Sequence, residues 1–174
     1  MIRKALPEDV SGIAKIFDEI HDAEEDGRIV TGWIRGIYPT RRVAEEGVAS
    51  GEMFVYEEDG EILSAARINQ EQVDVYALIP WEYEASEKEV MVLHTLVVSP
   101  RAQGKGIARQ MLAFYEETAR EHGCPVLRID TNERNRVARS MYARHGFREA
   151  GIVPCSFNGI PDVMLVALEK KLVN

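Results

Sequence analysis

Arg101, Gly104, Lys105 and Gly106 fall between an apolar run that ends at Val98 and an apolar helical stripe that begins at Ile107. Residue types and spacing of this kind suit the holding of a diphosphate. The first turn of a helix presents backbone N–H groups without intrahelical partners and a partial positive charge. Glycine has no Cβ, so an anion can come close to that backbone. Arg101, Lys105 and Arg109 add local positive charge to a chain whose formal net charge is −8. Two diphosphate templates fail. A dinucleotide fingerprint needs a third small residue where Arg109 stands, and a P-loop needs glycine where Ser99 stands and Ser or Thr where Gly106 stands. Alone, the segment reads as an anion-binding helix start or as a plain tight turn.

Other reactive residues carry less. Cys124 and Cys155 are too few for a disulfide framework or a four-ligand metal site, and a reducing cytoplasm without a metal cofactor is the simple inference. Cys155 has no identifiable basic partner and reads as a small near-surface thiol, while Cys124, beside Pro125, reads as core. Trp81 and Tyr83 alternate with Glu82 and Glu84, either as one wall of an acceptor pocket that favours a cationic amine or as a solvated acidic loop. The acidic stretch from Asp18 to Asp26 reads as the wet face of a helix.

The elements that position these residues follow from periodicity. Ile2–Leu6 suits a short strand, and Pro7 opens a helix with Ile13, Ile16, Phe17, Ile20 and Ala23 on one side, ended by Gly27. A second helix starts at Pro39-Thr40 and stops at Gly51. Met53–Glu57 and Ile62–Ile68 form a hairpin around Asp59-Gly60. Residues 69–88 read as an irregular loop, long enough to be functional or mobile. Val90–Val98 is a strand, 104–122 a helix capped by Gly123, and Val126–Asp130 a strand. Asn135–His145 is a helix with Val137, Ala138, Met141 and Tyr142 inward. Phe147–Val153 and Val163–Leu168 are strands joined by a turn-rich segment. The order β-α-α-β-β-β-α-β-α-β-β, with several hairpin-length connections, predicts a mixed sheet with helices on both faces.

Bulk properties narrow the function classes. A length of 174 residues suits one domain, residues 1–174, with one substantial core. The acidic balance excludes a nucleic-acid binder, which needs a basic face, and docking on an anionic membrane. No apolar run approaches the roughly 18 residues of a membrane span.

Two segments together carry a family likeness. Val98-Ser99-Pro100-Arg101, followed by Gly104-x-Gly106-Ile107-Ala108, resembles the acetyl-CoA signature of the GNAT acyltransferase superfamily. The run Asn135-x-x-Ala138-x-x-Met141-Tyr142-x-x-x-Gly146-Phe147 is similar to that family's second signature. The clear likeness covers residues 90–153. It implies a single-domain α/β (α+β) GNAT fold, with a mixed, mostly antiparallel sheet and a splayed parallel strand pair that binds acyl-CoA. That pair would be Val90–Val98 and Val126–Asp130.

By the same resemblance, backbone groups of Leu96, Val97 and Val98 meet the pantetheine amides. Arg101, Gln103, Gly104, Lys105, Gly106, Ile107 and Ala108 hold the pyrophosphate. Asn135 contacts the cofactor arm, caps its helix, or does both. Tyr142 is the proton donor to the departing thiolate, its alternative being a core tyrosine. Many relatives place a glutamate base on the strand before the signature. Here that strand has Glu89 only at its start, and His94 sits mid-strand as the candidate base or as a histidine satisfied by a hydrogen bond. The implied reaction is direct acetyl transfer from acetyl-CoA to a primary amine of a small molecule or peptide. The alternatives are a catalytically silent acyl-CoA-binding module on the same fold and a nucleotide-binding regulator using the same loop. Acceptor pockets in the family arise from variable segments, here 21–40, 69–88 and 154–162, and a homodimer is left open.

Overall fold

Asp59 and Gly60 take φ of 53° and 78°, and Asn158 and Gly159 take 52° and 79°. Both pairs therefore adopt the two-residue turn with positive φ at each central position, which matches the twist of the strands it joins. The computed structural model describes residues 1–173, and Asn174, the last residue of the expected domain, lies outside the described residues. The elements are β1 (Ile2–Lys4), α1 (Val10–Glu25), α2 (Arg41–Ala49), β2 (Met53–Glu58), β3 (Glu61–Asn69), β4 (Val90–Val98), α3 (Ile107–Glu121), β5 (Val126–Asn132), α4 (Arg136–Arg144), β6 (Arg148–Phe157) and β7 (Ile160–Lys171). The strand order is β1-β2-β3-β4-β5-β7-β6. β4 and β5 pair in parallel, whereas β1–β2, β2–β3, β5–β7 and β6–β7 are antiparallel, so the sheet is mixed and mostly antiparallel as expected.

The chain falls into two compact units. The first comprises residues 1–29, 33–68 and 94–115. Ile13, Ile16, Phe17 and Ile20 of α1 pack with Met53 and Val55 of β2, Ala65 of β3 and Val97 of β4. Full burial of side chains this size contributes about 1.5–3 kcal/mol each. Phe54, between Met53 and Val55, points the other way. It meets Phe114 of α3 at a centroid distance of 5.1 Å, so helices cover both faces.

The second unit comprises residues 30–32, 69–93 and those from 116 onward. Its hairpin corrects the expected turn-rich segment at 154–162: β6 and β7 run through it as far as the Asn158–Gly159 turn. Pro154 is compatible because β6 ends the strand order, and an edge strand has a side on which a missing N–H breaks no ladder bond. Segment 69–88 is irregular as expected, apart from short 3-10 turns, yet it is packed in place. It carries a 3-10 turn at Asp74–Leu78, and Tyr76 packs with Val90, Val92 and Val126, flanked by Trp81 and Tyr83. Trp81 stands edge-on to Tyr76 at 5.2 Å and donates Nε1–H to Tyr76 O at 2.9 Å. Arg128 of β5 lies 4.1 Å from the Trp81 ring centroid and donates to Tyr83 O at 3.2 Å and to Gln72 Oε1. A buried guanidinium needs such partners, and their supply fixes the segment.

One inward expectation in α4 is also corrected. Tyr142 is buried and Ala138 and Met141 are half-buried, but Val137 is 81% exposed. The inward stripe runs through 138, 141 and 142, at helical spacing, and Val137 lies off its edge.

Candidate active site

In the first unit, β4 breaks its own regularity. Its parallel ladder with β5 runs over Val90–Leu93 and Val126–Ile129. Two residues later Thr95 has φ of 52°, a conformation that is strained for a β-branched side chain. The Thr95 hydroxyl is hydrogen-bonded to the Tyr38 hydroxyl. Beyond the irregularity the strand is tied to β3: Ser64 Oγ donates to Val97 O at 2.6 Å, and Ser99 N donates to Leu63 O at 2.8 Å. Val97 is buried, while His94, Leu96 and Val98 are half-buried.

The loop that follows is anchored at its root and open at its tip. Ser99, with no accessible surface, donates to Glu19 Oε2 at 2.6 Å. Arg101 reaches Glu19 Oε1 at 2.9 Å and Glu61 Oε1 at 2.7 Å, and Lys105 reaches Glu58 Oε2 at 3.1 Å. The expected positive charges of Arg101 and Lys105 are thus each met by carboxylates, and Arg109 of the first turn of α3 is exposed beside the loop backbone. Gln103, Gly104, Lys105 and Gly106 are exposed, and Ile107, 2% exposed, seats the start of α3. Gly104 and Gly106 have φ of 82° and 74°, and no atom lies within 4 Å of where a Cβ would stand on either. This is open ground beside a helix N-terminus, and a diphosphate fits its chemistry.

The second unit holds the other expected site residues. Asn135 Oδ1 accepts from Ala138 N at 3.1 Å, so Asn135 caps α4. That bond uses one oxygen and leaves the amide NH₂ able to donate. Tyr142 is 5% exposed and meets Phe147 edge-on at a centroid distance of 5.9 Å. Burial first, then the Asp130 carboxylate, hold its phenol well above the ordinary value, so the group stays protonated and able to donate.

Asp130 and Tyr76 were not singled out by sequence reasoning. Tyr76 Oη donates to Asp130 Oδ2 at 2.6 Å. Burial pushes the carboxyl up to about 6, and the Tyr76 hydrogen bond opposes the rise. A signal existed for Asp130: it follows Arg128 as a second charged residue on one face of a strand whose other face begins with Leu127 and Ile129. Tyr76 had none, because it stands in a segment without periodicity. Cys155 of β6 is half-buried, and burial and Asp130 push its thiol up, which does not suit a nucleophile. Cys124 is buried, with Gln70 Nε2 3.3 Å from its sulfur.

Comparisons with known proteins bear on the family and the fold. Residues 14–147 match the model of the Acetyltransferase (GNAT) family. The uncharacterised N-acetyltransferase YhfO of Bacillus subtilis (strain 168) is 26% identical over 148 residues, 85% of this chain and 89% of that protein. The aminoalkylphosphonate N-acetyltransferase of Salmonella typhimurium is 36% identical over 58 residues, 33% of this chain and 38% of that protein. Among solved structures, a GNAT-family acetyltransferase of Streptococcus agalactiae 2603 shares the fold with a TM-score of 0.80 at 24% identity, covering 100% of this chain and 96% of that one. Strand order, loop and family match lead to one conclusion: the chain belongs to the acetyltransferase (GNAT) family and is an acyltransferase.

Proposed function

We propose that this acyltransferase moves an acetyl group from acetyl-CoA to a primary amine of a small molecule or peptide. The observation that carries the reading is the open ground over Gly104 and Gly106 at the start of α3. Acetyl-CoA supplies an electrophilic thioester carbon and a thiolate leaving group. Backbone N–H groups from Gln103 to Ala108 would hold the pyrophosphate. Backbone groups of Leu96, Val97 and Val98, beyond the irregularity at Thr95, would meet the pantetheine amides. The Asn135 amide would donate to the same ligand while its oxygen caps α4. Tyr142 would protonate the departing thiolate, and His94 would face the acceptor as a substrate-binding residue.

The matched aminoalkylphosphonate enzyme acts, by its name, on an amine, which supports an amine acceptor here. The two units would act as one transferase domain, and the free thiols of Cys124 and Cys155 suit a reducing cytoplasm. The test is amine-dependent CoA release over a panel of amino acids, polyamines, aminoalkylphosphonates and peptides, with acetyl-CoA binding measured alongside. Turnover on at least one amine supports the reading, and binding without turnover on any amine contradicts it.

A further inference from the structure

The geometry points to Asp130, held by Tyr76, as the residue that takes the proton from the acceptor ammonium. The inference rests on the proposed amine acetylation. Asp130 stands near the C-terminal end of β5, opposite Ala167 of β7. Among the described residues its hydrogen-bond donor is the neutral Tyr76 hydroxyl. The cation on its own strand, Arg128, is turned to Gln72, Tyr83 O and the Trp81 ring. A half-buried carboxylate without a paired cation costs stability, and the buried Tyr76 hydroxyl needs only an acceptor there, which a neutral amide would supply equally. Other titratable groups surround it. Tyr76 comes from the 3-10 turn, Tyr142 from α4 and Cys155 from β6, and Glu169 of β7 lies two residues beyond Ala167, paired with Arg148 of β6.

These surroundings push two groups apart. Asp130 rises to about 6, where it is ionised at neutral pH yet basic enough to accept a proton, while Tyr142 rises and stays protonated. Titratable neighbours separated in this way form an acid and base pair. In the step, an N–H bond of the ammonium breaks and an O–H bond forms on Asp130 Oδ1, the oxygen not held by Tyr76. The freed lone pair forms the C–N bond as the C–S bond breaks. The thiolate takes the Tyr142 proton, and the phenolate recovers one from the acylated nitrogen. Asp130 returns its proton to solvent, so one proton is released per turnover.

The experiment uses the intact enzyme and an amine that supports turnover. In the wild type, log kcat/KM should fall on the acid side through an inflection near pH 6. Asp130→Asn should lower kcat/KM by about 10²–10⁴-fold and remove that inflection, with acetyl-CoA affinity unchanged. Tyr76→Phe removes the bond that opposes the rise, so it should move the inflection upward while keeping activity at high pH, which a purely structural role would not do. His94→Gln should keep the inflection. Retention of the inflection in Asp130→Asn, or its loss in His94→Gln alone, would overturn the assignment while leaving the transferase reading intact. Absence of amine-dependent CoA release by the wild type would overturn both.

Discussion

The backbone N–H of Glu82 donates to Glu169 Oε1 at 2.8 Å, although Glu169 lies on β7 with no accessible surface. Tyr83 N also reaches Glu169 at 3.3 Å, and Arg148 pairs with the same carboxylate. A buried anion therefore pins the segment at Glu82 and Tyr83. Removing the carboxylate leaves the Glu82 and Tyr83 amides without their acceptor, while the partly exposed Arg148 keeps Glu82 at 3.1 Å, so Glu169→Ala should destabilise by about 1–3 kcal/mol. Urea unfolding checks the magnitude. Hydrogen exchange at the Glu82 and Tyr83 amides should quicken, and unchanged exchange would show that the aromatic packing holds the segment without the carboxylate.

Asp130 gives the opposite sign. Its folded-state value of about 6 lies above the 3.8 of an ordinary aspartate. The folded chain therefore binds more protons than the unfolded one between those values, and stability falls as pH rises from about 4 to about 6. Above that window the penalty is complete, of order 1–3 kcal/mol. Asp130→Asn, which can still accept from Tyr76, should be more stable than the wild type by about that amount at pH 8 and equal to it near pH 4. Thermal melts across this range decide the matter. A variant that melts lower at pH 8 contradicts the buried-charge account.

Asp9 shows the usual carboxylate behaviour. Arg3 meets it at 2.6 Å and 3.0 Å, Leu6 N donates to it at 2.7 Å, and the Arg3 hydrogen bonds hold its carboxyl below the ordinary range. Its contribution is present above the unfolded value near 4 and is lost as pH falls through the lower folded value. Asp9→Asn should cost about 1–3 kcal/mol at pH 7 and progressively less toward pH 2. The difference between the two proteins' melting temperatures, followed with pH, measures this.

The elements and the glycine loop were legible because their determinants are local. Apolar periodicity marks α1 and α3, Asp59-Gly60 marks its hairpin, and two glycines next to a helix start mark the open loop before α3. The irregular path of segment 69–88 was legible but its packing was not, because that comes from distant partners: Arg128 under Trp81, and Glu169 under Glu82 and Tyr83. Thr95 ran against local preference, since a β-branched residue at positive φ is held there by its surroundings, the Tyr38 hydroxyl among them. Asn158-Gly159 was visible as a turn signal, but its flanking prolines hid the strands that run up to it. Asp130 was hidden for another reason. Its chemistry depends on burial and on Tyr76, 54 positions away in the chain, and neither is written in the spacing of its own strand.

The open ground over the loop yields the most direct test of its role. Gly104 and Gly106 take positive φ, so alanine at either costs roughly 1–2 kcal/mol of backbone strain. At about 2–4 °C of melting temperature per kcal/mol, that loss is small and leaves the fold intact. Gly123 serves as the control. It too has positive φ, at 67°, and nothing within 4 Å of its Cβ position, but it ends α3 rather than starting it. All three alanine variants should show similar melting losses. A methyl group over the loop would stand between an incoming diphosphate and the N–H groups that bind it, so Gly104→Ala and Gly106→Ala should weaken acetyl-CoA binding at least about tenfold, an effect of ~1.4 kcal/mol. Gly123→Ala should bind as the wild type does. Equal affinities in all three variants, measured by calorimetry, would remove the loop from the site.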